Sequence, residues 1–252
     1  MKNDIFSLEG KVAVVTGGNG LIGREIVRLL LQAGATVYVA DTKRPDTAAS
    51  DKLRYAPIDI SSEKSVNRFI PAILKKDGRM DIFVNCAYPY TNDWGKTFEK
   101  IEFNSWKTNV NNHMGGYFIC ARAAAEAMKK RGGSIINIAS IYGVVAPDFS
   151  IYEGTTMTMP GAYAAIKSGI IGMSRYMASY YAPYKIRVNS VSPGGIRDKQ
   201  PVSFIKKYEK RTPLGRMGTP ADVAAAVLYL SADASSYVTG QNIIVDGGWT
   251  IR

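Results

Sequence analysis

The chain has 252 residues, 46% of them hydrophobic, and 32 basic against 21 acidic side chains give a net charge of +11. This is enough for one well-buried α/β core; the charge favours acidic partners in general, but without zinc-finger spacing, an aromatic RNA-binding signature or a basic amphipathic helix no nucleic-acid partner is expected. Two cysteines (Cys86, Cys120) make no disulfide framework, the polar N-terminal MKNDIFSLEGK lacks the apolar stretch of a signal peptide, and no apolar run approaches the ~18–20 residues that span a bilayer, so the expectation is a cytoplasmic protein with no membrane partner.

The first element is KVAVVTGG (11–18), a β-branched apolar run ending in glycines, which reads as a buried strand. LIGREIVRLLLQAGA (21–35) comes next with helical spacing: Ile22, Ile26, Leu29 and Leu30 share one side and Gly34 is a stop signal. TVYVAD (36–41), LRYAPIDI (53–60) and MDIFVNCA (80–87) predict the second to fourth strands, and a helix is expected around 105–130. GSIINIAS (133–140), IRVNSVSPG (186–194) and QNIIVDGG (241–248) predict the fifth to seventh. Strands alternating with helices imply an α/β fold: a Rossmann-type, doubly wound parallel sheet of about seven strands covered on both faces. With no repeat, linker or low-complexity tract, residues 1–252 read as a single domain.

TGGNGLIG (16–23) lies between the first strand and the first helix. A glycine motif alone is weak, but strand before and helix after are the context of a dinucleotide site. Glycines allow a tight turn and close approach of backbone to a pyrophosphate, which the helix N-terminus then binds. Gly17, Asn19, Gly20, Leu21, Ile22 and Gly23 are therefore candidate cofactor contacts. Asp41 ends the second strand, 18 residues after Gly23, where a carboxylate accepts ribose hydroxyls and repels the 2′-phosphate of NADP. Lys43 and Arg44 weaken that discrimination, so NAD is expected and NADP is not excluded. Asp59 and Ile60 come after the third strand, Asn85 and Ala87 end the fourth, and Pro193, Gly194 and Ile196 come after the sixth; all are candidate cofactor contacts. No metal site is expected.

Ser140 ends the fifth strand; Tyr163 and Lys167 come 23 and 27 residues later in GAYAAIKSG. Residues four apart share a helix face, and ligands of open α/β sheets bind beyond the carboxyl ends of the strands. A phenol is a poor base at neutral pH, and a cation one turn away lowers its pKa. TGGNGLIG, Asp41, VNCA, NIAS, YAAIK, VSPGG, GRMGTPADVAAAVLYL and YVTGQNIIVDGG, in this order over nearly the whole chain, resemble the short-chain dehydrogenase/reductase family. The resemblance implies NAD(P)-dependent interconversion of a secondary alcohol and a ketone. It makes Tyr163 the acid/base, Lys167 its activator and a ribose ligand, and Ser140 the substrate-orienting donor. It also implies a homo-oligomer, most simply a tetramer.

Four departures from the family pattern stand out. The G-x-x-G-x-x-G spacing resembles the family's extended, sugar-nucleotide-modifying branch. Where the family carries an asparagine on the fourth helix, counting back from Phe118 gives His113, the only histidine; Asn111 and Asn112 are alternatives if the register shifts. An imidazole there could support a proton path and would titrate near neutral pH. Tyr88 and Pro89 replace the glycine expected after NCA. The Ser140–Tyr163 interval is about ten residues longer than usual in the family, which makes 144–162 a substrate-facing loop or an oligomer contact. The stretch 195–216 corresponds to the family's mobile lid, and within it Arg197, Lys199, Lys206, Lys207, Lys210, Arg211 and Arg216 outnumber two acids. A basic lid implies a small anionic substrate; a solvated helix explains the charges equally well. GGYF and MTMP resemble oxidoreductases of bacterial surface-sugar and flagellin-glycan modification. A 3-oxoacyl, polyol or steroid-type reductase, and a non-catalytic scaffold or sensor, are the other readings.

Overall fold

A computed structural model of the chain describes residues 4–44 and 50–252, so the first three residues of the polar N-terminal segment lie outside it. Seven parallel strands form one sheet in the order β3-β2-β1-β4-β5-β6-β7. They are β1 (Val12–Thr16), β2 (Thr36–Asp41), β3 (Leu53–Pro57), β4 (Ile82–Asn85), β5 (Gly133–Ile138), β6 (Ile186–Pro193) and β7 (Asn242–Val245). β1 is buried at every position, as expected for a central parallel strand covered on both faces. The expected strands all form: β2 matches its expected span, β6 ends one residue early, and the others stop a few residues short where glycine or a polar turn takes over.

The helices are α1 (Leu21–Gln32), α2 (Glu63–Asp77), α3 (Phe103–Asn109), α4 (Gly116–Met128), α5 (Gly161–Tyr181), α6 (Val202–Arg211) and α7 (Pro220–Ser231). α2, α4 and α5 pack on one face of the sheet, with Phe69, Ile73, Tyr117, Met128 and Ile166 in that core. α1 and α7 cover the other, with Ile26, Leu30, Val227 and Leu230 in its core. A third cluster lies beyond the strand ends and joins Tyr142, Tyr152, Phe204, Tyr208 and Trp249.

The helix expected around 105–130 is broken by a wide π turn over Val110–Gly115, which separates α3 from α4. A single wide turn of this kind rotates the register of the helix beyond it, and this one carries His113. α2, which the apolar runs do not announce, is fixed at its ends: Ser62 accepts the Ser65 N–H, and Gly78 closes the helix at φ +67°.

The strand order reverses between β1, which leads outward to β2 and β3, and β4, which leads to β5, β6 and β7. A doubly wound sheet opens its binding crevice beyond the carboxyl ends at that reversal.

Candidate active site

A cleft of about 1250 Å³ opens at the strand reversal, lined at one end by the glycine turn and at the other by Ser140, Tyr163 and the 156–160 segment. Gly17 sits at φ +65°, and a Cβ there would lie 2.6 Å from the Ala87 Cα. Only glycine permits that approach of the first turn to the end of β4. Thr16 ties the same two strand ends together: its hydroxyl oxygen accepts the Cys86 N–H at 3.0 Å.

α1 begins at Gly20 with no side-chain cap and no acid in its first turn. Gly20, Leu21, Ile22 and Gly23 line the cleft. The free N–H groups and positive end of a helix suit a pyrophosphate. Asp41 lines the same end of the cleft, and Lys43 and Arg44 do not. Its carboxylate accepts the backbone N–H groups of Asn19 at 3.1 Å and Lys43 at 3.3 Å, which leaves acceptor capacity on both oxygens. These residues fit a dinucleotide with an unphosphorylated adenosine ribose.

Of the other expected cofactor contacts, Asp59, Ile60, Ala87, Pro193, Gly194 and Ile196 line the cleft. Asn19 and Asn85 do not. The Asn19 backbone N–H donates to Asp41 and its side-chain amide to the Lys43 carbonyl. Asn85 is fully buried beneath the floor and donates to Asn137 Oδ1 at 2.8 Å and the Tyr117 carbonyl at 3.3 Å. The chain of side-chain bonds continues from Asn137 to Ser174 at 2.9 Å. Buried amides pair with each other when nothing else is within reach, and no local sequence signal marks this pairing.

Ser140 ends β5 and starts the short turn Ile141–Gly143. A Cβ on Gly143 would lie 2.8 Å from the Lys167 carbonyl carbon, so the turn rests directly on α5. Ser168 reinforces that seat by donating to the Gly143 carbonyl at 3.1 Å. The Ser140 oxygen accepts the Tyr142 N–H at 3.2 Å, and its own proton remains available to donate. Burial pushes the Tyr163 phenol above its ordinary pKa, and the Ser140 hydroxyl beside it pulls the other way.

Lys167 is 2% exposed. Its Nζ donates to the Ile138 carbonyl at 2.8 Å and lies 3.4 Å from His113 Nε2. The rings of Tyr88, Tyr117 and Tyr163 surround it with centroids 5.5–5.8 Å away. Burial lowers the lysine to about 7. This corrects the simple picture of a fixed cation acidifying its tyrosine. Near neutral pH the amine is shared between two forms, and burial outweighs it at the phenol.

His113, and neither Asn111 nor Asn112, is the residue that meets Lys167. The π turn puts His113 fully inside, while Asn111 faces solvent. Burial, and after it the lysine's charge, drives its pKa well below 6.5. It is a neutral imidazole, so the expectation that it titrates near neutral pH does not hold.

The lid reading also changes. None of its seven basic residues lines the cleft. Lys207 donates to the carbonyls of Ser150 and Glu153, Arg211 pairs with Asp148 at 2.6 Å, and Arg216 pairs with Asp222 at 2.8 Å. These contacts fasten α6 to the 144–162 segment, and the turn after α6 to α7. The basic count therefore gives no support to an anionic substrate. The side chains that the segment turns inward are aromatic or uncharged: Phe204, Tyr208 and Gln200 line the cleft, as does Met217 just beyond it, with Asp198 the one charged lid residue there. The 144–162 segment contributes Tyr152, Thr156, Met157, Thr158, Met159 and Pro160 to the lining.

Known proteins share this architecture along its whole length. A family model described as enoyl-(acyl carrier protein) reductase matches residues 19–250. The flagellin modification protein A of Campylobacter coli, described as acting post-translationally, is 33% identical across 96% of this chain and 99% of its own. A solved short-chain dehydrogenase from Leptospira borgpetersenii, described with bound NAD+, superposes with a TM-score of 0.90 at 36% identity, over 99% of this chain and 96% of that one. The chain belongs to the short-chain dehydrogenase/reductase family. Sorbose reductase of Candida albicans is a further member, 33% identical over 98% of this chain and 89% of its own. The protein is thus an oxidoreductase of that family.

Proposed function

We propose that the protein is an NAD(H)-dependent oxidoreductase that interconverts a secondary alcohol and a ketone on a small polar, sugar-type substrate. The observation that carries the reading is one continuous cleft lined by both an uncapped, glycine-flanked helix N-terminus and the Ser140–Tyr163–Lys167 group. Asp41, facing the cleft without a neighbouring cleft-lining cation, supports NAD over NADP.

A nicotinamide cofactor held by Gly20, Leu21, Ile22 and Asp41 would supply or accept the hydride and, when oxidised, would add a positive charge that favours the phenolate. The chain's residues handle the proton. Tyr163, whose phenol burial keeps protonated at neutral pH, donates its proton to the substrate oxygen during reduction and takes it back during oxidation. Ser140 donates to the same oxygen as charge develops on it. Lys167, near its midpoint at neutral pH, exchanges a proton and holds the cofactor ribose. His113 fixes the lysine's position from behind. A 3-oxoacyl reductase is the second reading, favoured by 34% identity to the 3-oxoacyl-(acyl-carrier-protein) reductase of Thermotoga maritima over 97% of this chain. The intact Tyr163, Lys167 and Ser140 speak against a non-catalytic scaffold. We further infer that residues 1–252 work as one domain and act in the cytoplasm; among the described residues no helix is long and apolar enough to cross a membrane.

The test is a fluorescence titration with NADH and NADPH on the wild type and on Tyr163→Phe. Tighter binding of NADH, equal in both proteins, with turnover lost by about 10²-fold or more in the variant is the expected result. Substantial turnover by Tyr163→Phe removes the proposed role of the phenol, and absence of binding by either cofactor removes the reading as a whole.

A further inference from the structure

Resting on that oxidoreductase reading, we propose that Tyr88 and Trp94 form a stacking corner that makes the enzyme selective for an uncharged, hydroxylated six-membered ring. Both side chains line the cleft. Their rings meet edge to face, with centroids 6.0 Å apart and planes at 82°. The corner stands beside the reacting phenol: Tyr163 lies 5.9 Å from Tyr88 and 6.4 Å from Trp94 between centroids. A ring stacked there holds its hydroxyl-bearing edge within reach of Tyr163.

The corner is preorganised. The Trp94 indole N–H donates to the Tyr88 hydroxyl at 2.9 Å. The loop that carries both is pinned to α3. Asn109 accepts the Thr91 N–H at 3.0 Å and donates to the Thr91 hydroxyl oxygen at 2.8 Å. Asp93 accepts from Thr91 at 2.6 Å and from Ser105 at 2.7 Å. Rings held this way lose little freedom when a ligand stacks on them. The electron-rich aromatic faces attract the weakly positive C–H face of a saturated ring.

The remaining lining sets the polarity. Asn92, Thr156 and Thr158 line the cleft and make no side-chain hydrogen bond to the described residues, which suits them to pair with ring hydroxyls. The charged lining residues are Asp41, Asp59 and Asp198 against Lys167 alone. Asp41 belongs to the cofactor end, and Lys167 is buried beneath the phenol. An anionic substituent on the substrate would meet the Asp198 carboxylate with no cleft-lining arginine to answer it. Specificity against the anion thus comes from an unfavourable charge contact, and specificity for the ring from the corner.

The experiment measures NAD-linked oxidation of trans-cyclohexane-1,2-diol and methyl α-D-glucopyranoside. Beside them stand D-glucuronate and D-glucose 6-phosphate, which keep the ring and add an anion, and acetoacetyl-CoA in the NADH-linked direction. The expected result is kcat/KM at least about tenfold higher for an uncharged ring than for any charged probe. Tyr88→Ala and Trp94→Ala should each reduce that preference by about tenfold, mainly through KM, and Tyr88→Phe, which keeps the ring, should retain most of it. Preference for a charged ring or for the thioester, no turnover of either uncharged ring, or an unchanged preference in Tyr88→Ala each overturns the proposal. The NADH titration is read separately: a protein that binds NADH and reduces acetoacetyl-CoA through Tyr163 keeps its oxidoreductase assignment and loses only the ring subsite.

Discussion

Lys167 is the residue on which burial and charge are most sharply opposed. Its ammonium is compensated by one backbone carbonyl and three tyrosine rings, with no carboxylate in contact among the described residues. Burial lowers its pKa from 10.5 to about 7 in the folded chain. Below pH 7 both folded and unfolded chains carry the proton, and the full cost of burying the cation is present. Between pH 7 and 10.5 the unfolded chain binds the extra proton, so this group makes stability rise with pH, by about 1.4 kcal/mol per unit. Tyrosines with raised pKa act oppositely above about pH 10, which limits the useful window to about pH 7–9.5. Replacing Lys167 by Met should therefore yield a protein more stable than the wild type at pH 6.5, by up to a few kcal/mol. The gap should narrow steadily towards pH 9.5. Urea unfolding across that range measures it, and a gap independent of pH would show that Lys167 does not titrate there. His113, held neutral in the folded chain, adds to the slope only at the acid edge of the range, where the unfolded imidazole binds a proton.

Among the secondary-structure units, β1, its glycine turn and α1 state their geometry most openly in the sequence. Gly23 on α1 would place a Cβ 2.1 Å from the Gly17 carbonyl oxygen, whereas Gly172 on α5 has nothing within 4 Å of the same position. Gly23→Ala should accordingly cost about 1–3 kcal/mol and abolish NADH binding by forcing the turn open. Gly172→Ala should gain roughly 0.5–1 kcal/mol with NADH binding intact. Thermal melts with and without NADH compare the pair; equal tolerance at both sites would mean that the turn is not closely packed on α1. The contrast also explains why some features are legible in the sequence and others are not. Glycine spacing, apolar strand runs and the Tyr–Lys interval are local properties, and the seven strands with Ser140, Tyr163 and Lys167 follow from them. The π turn is not local. It brings His113 against Lys167 of another helix, a contact far apart in the sequence, which therefore offers His113, Asn111 and Asn112 without choosing. Asn85 misleads for a similar reason, since its partner Asn137 lies on the neighbouring strand. The lid misleads because composition gives a helix's charge and not the direction of its side chains: α6 turns Phe204, Ile205 and Tyr208 inward and keeps its lysines off the cleft lining.

Taken over the entire chain, the net charge of +11 and the character of the cleft point in opposite directions. The positive charge belongs to the outer surface, where it keeps the chain soluble and steers anions without specificity. That surface is not uniformly polar. The neighbouring helices α4 and α5 expose Phe118 at 46%, Tyr176 at 70% and Tyr180 at 58%, and the two tyrosines stack with centroids 6.0 Å apart. Exposed aromatic side chains stacked together, as Tyr176 and Tyr180 are, are typical of a surface covered by another protein. We infer that this face joins copies of the chain, and that a tetramer, the assembly implied by the family resemblance, is the working form. Size-exclusion chromatography with light scattering should give the mass of four 27.5 kDa chains. Tyr176→Glu combined with Tyr180→Glu should break the assembly into smaller species, because each copy would bring uncompensated carboxylates to the joint. A wild type of one-chain mass would remove the inference. A tetramer indifferent to the double substitution would move the joint to another face, leaving the exposed tyrosines without a partner.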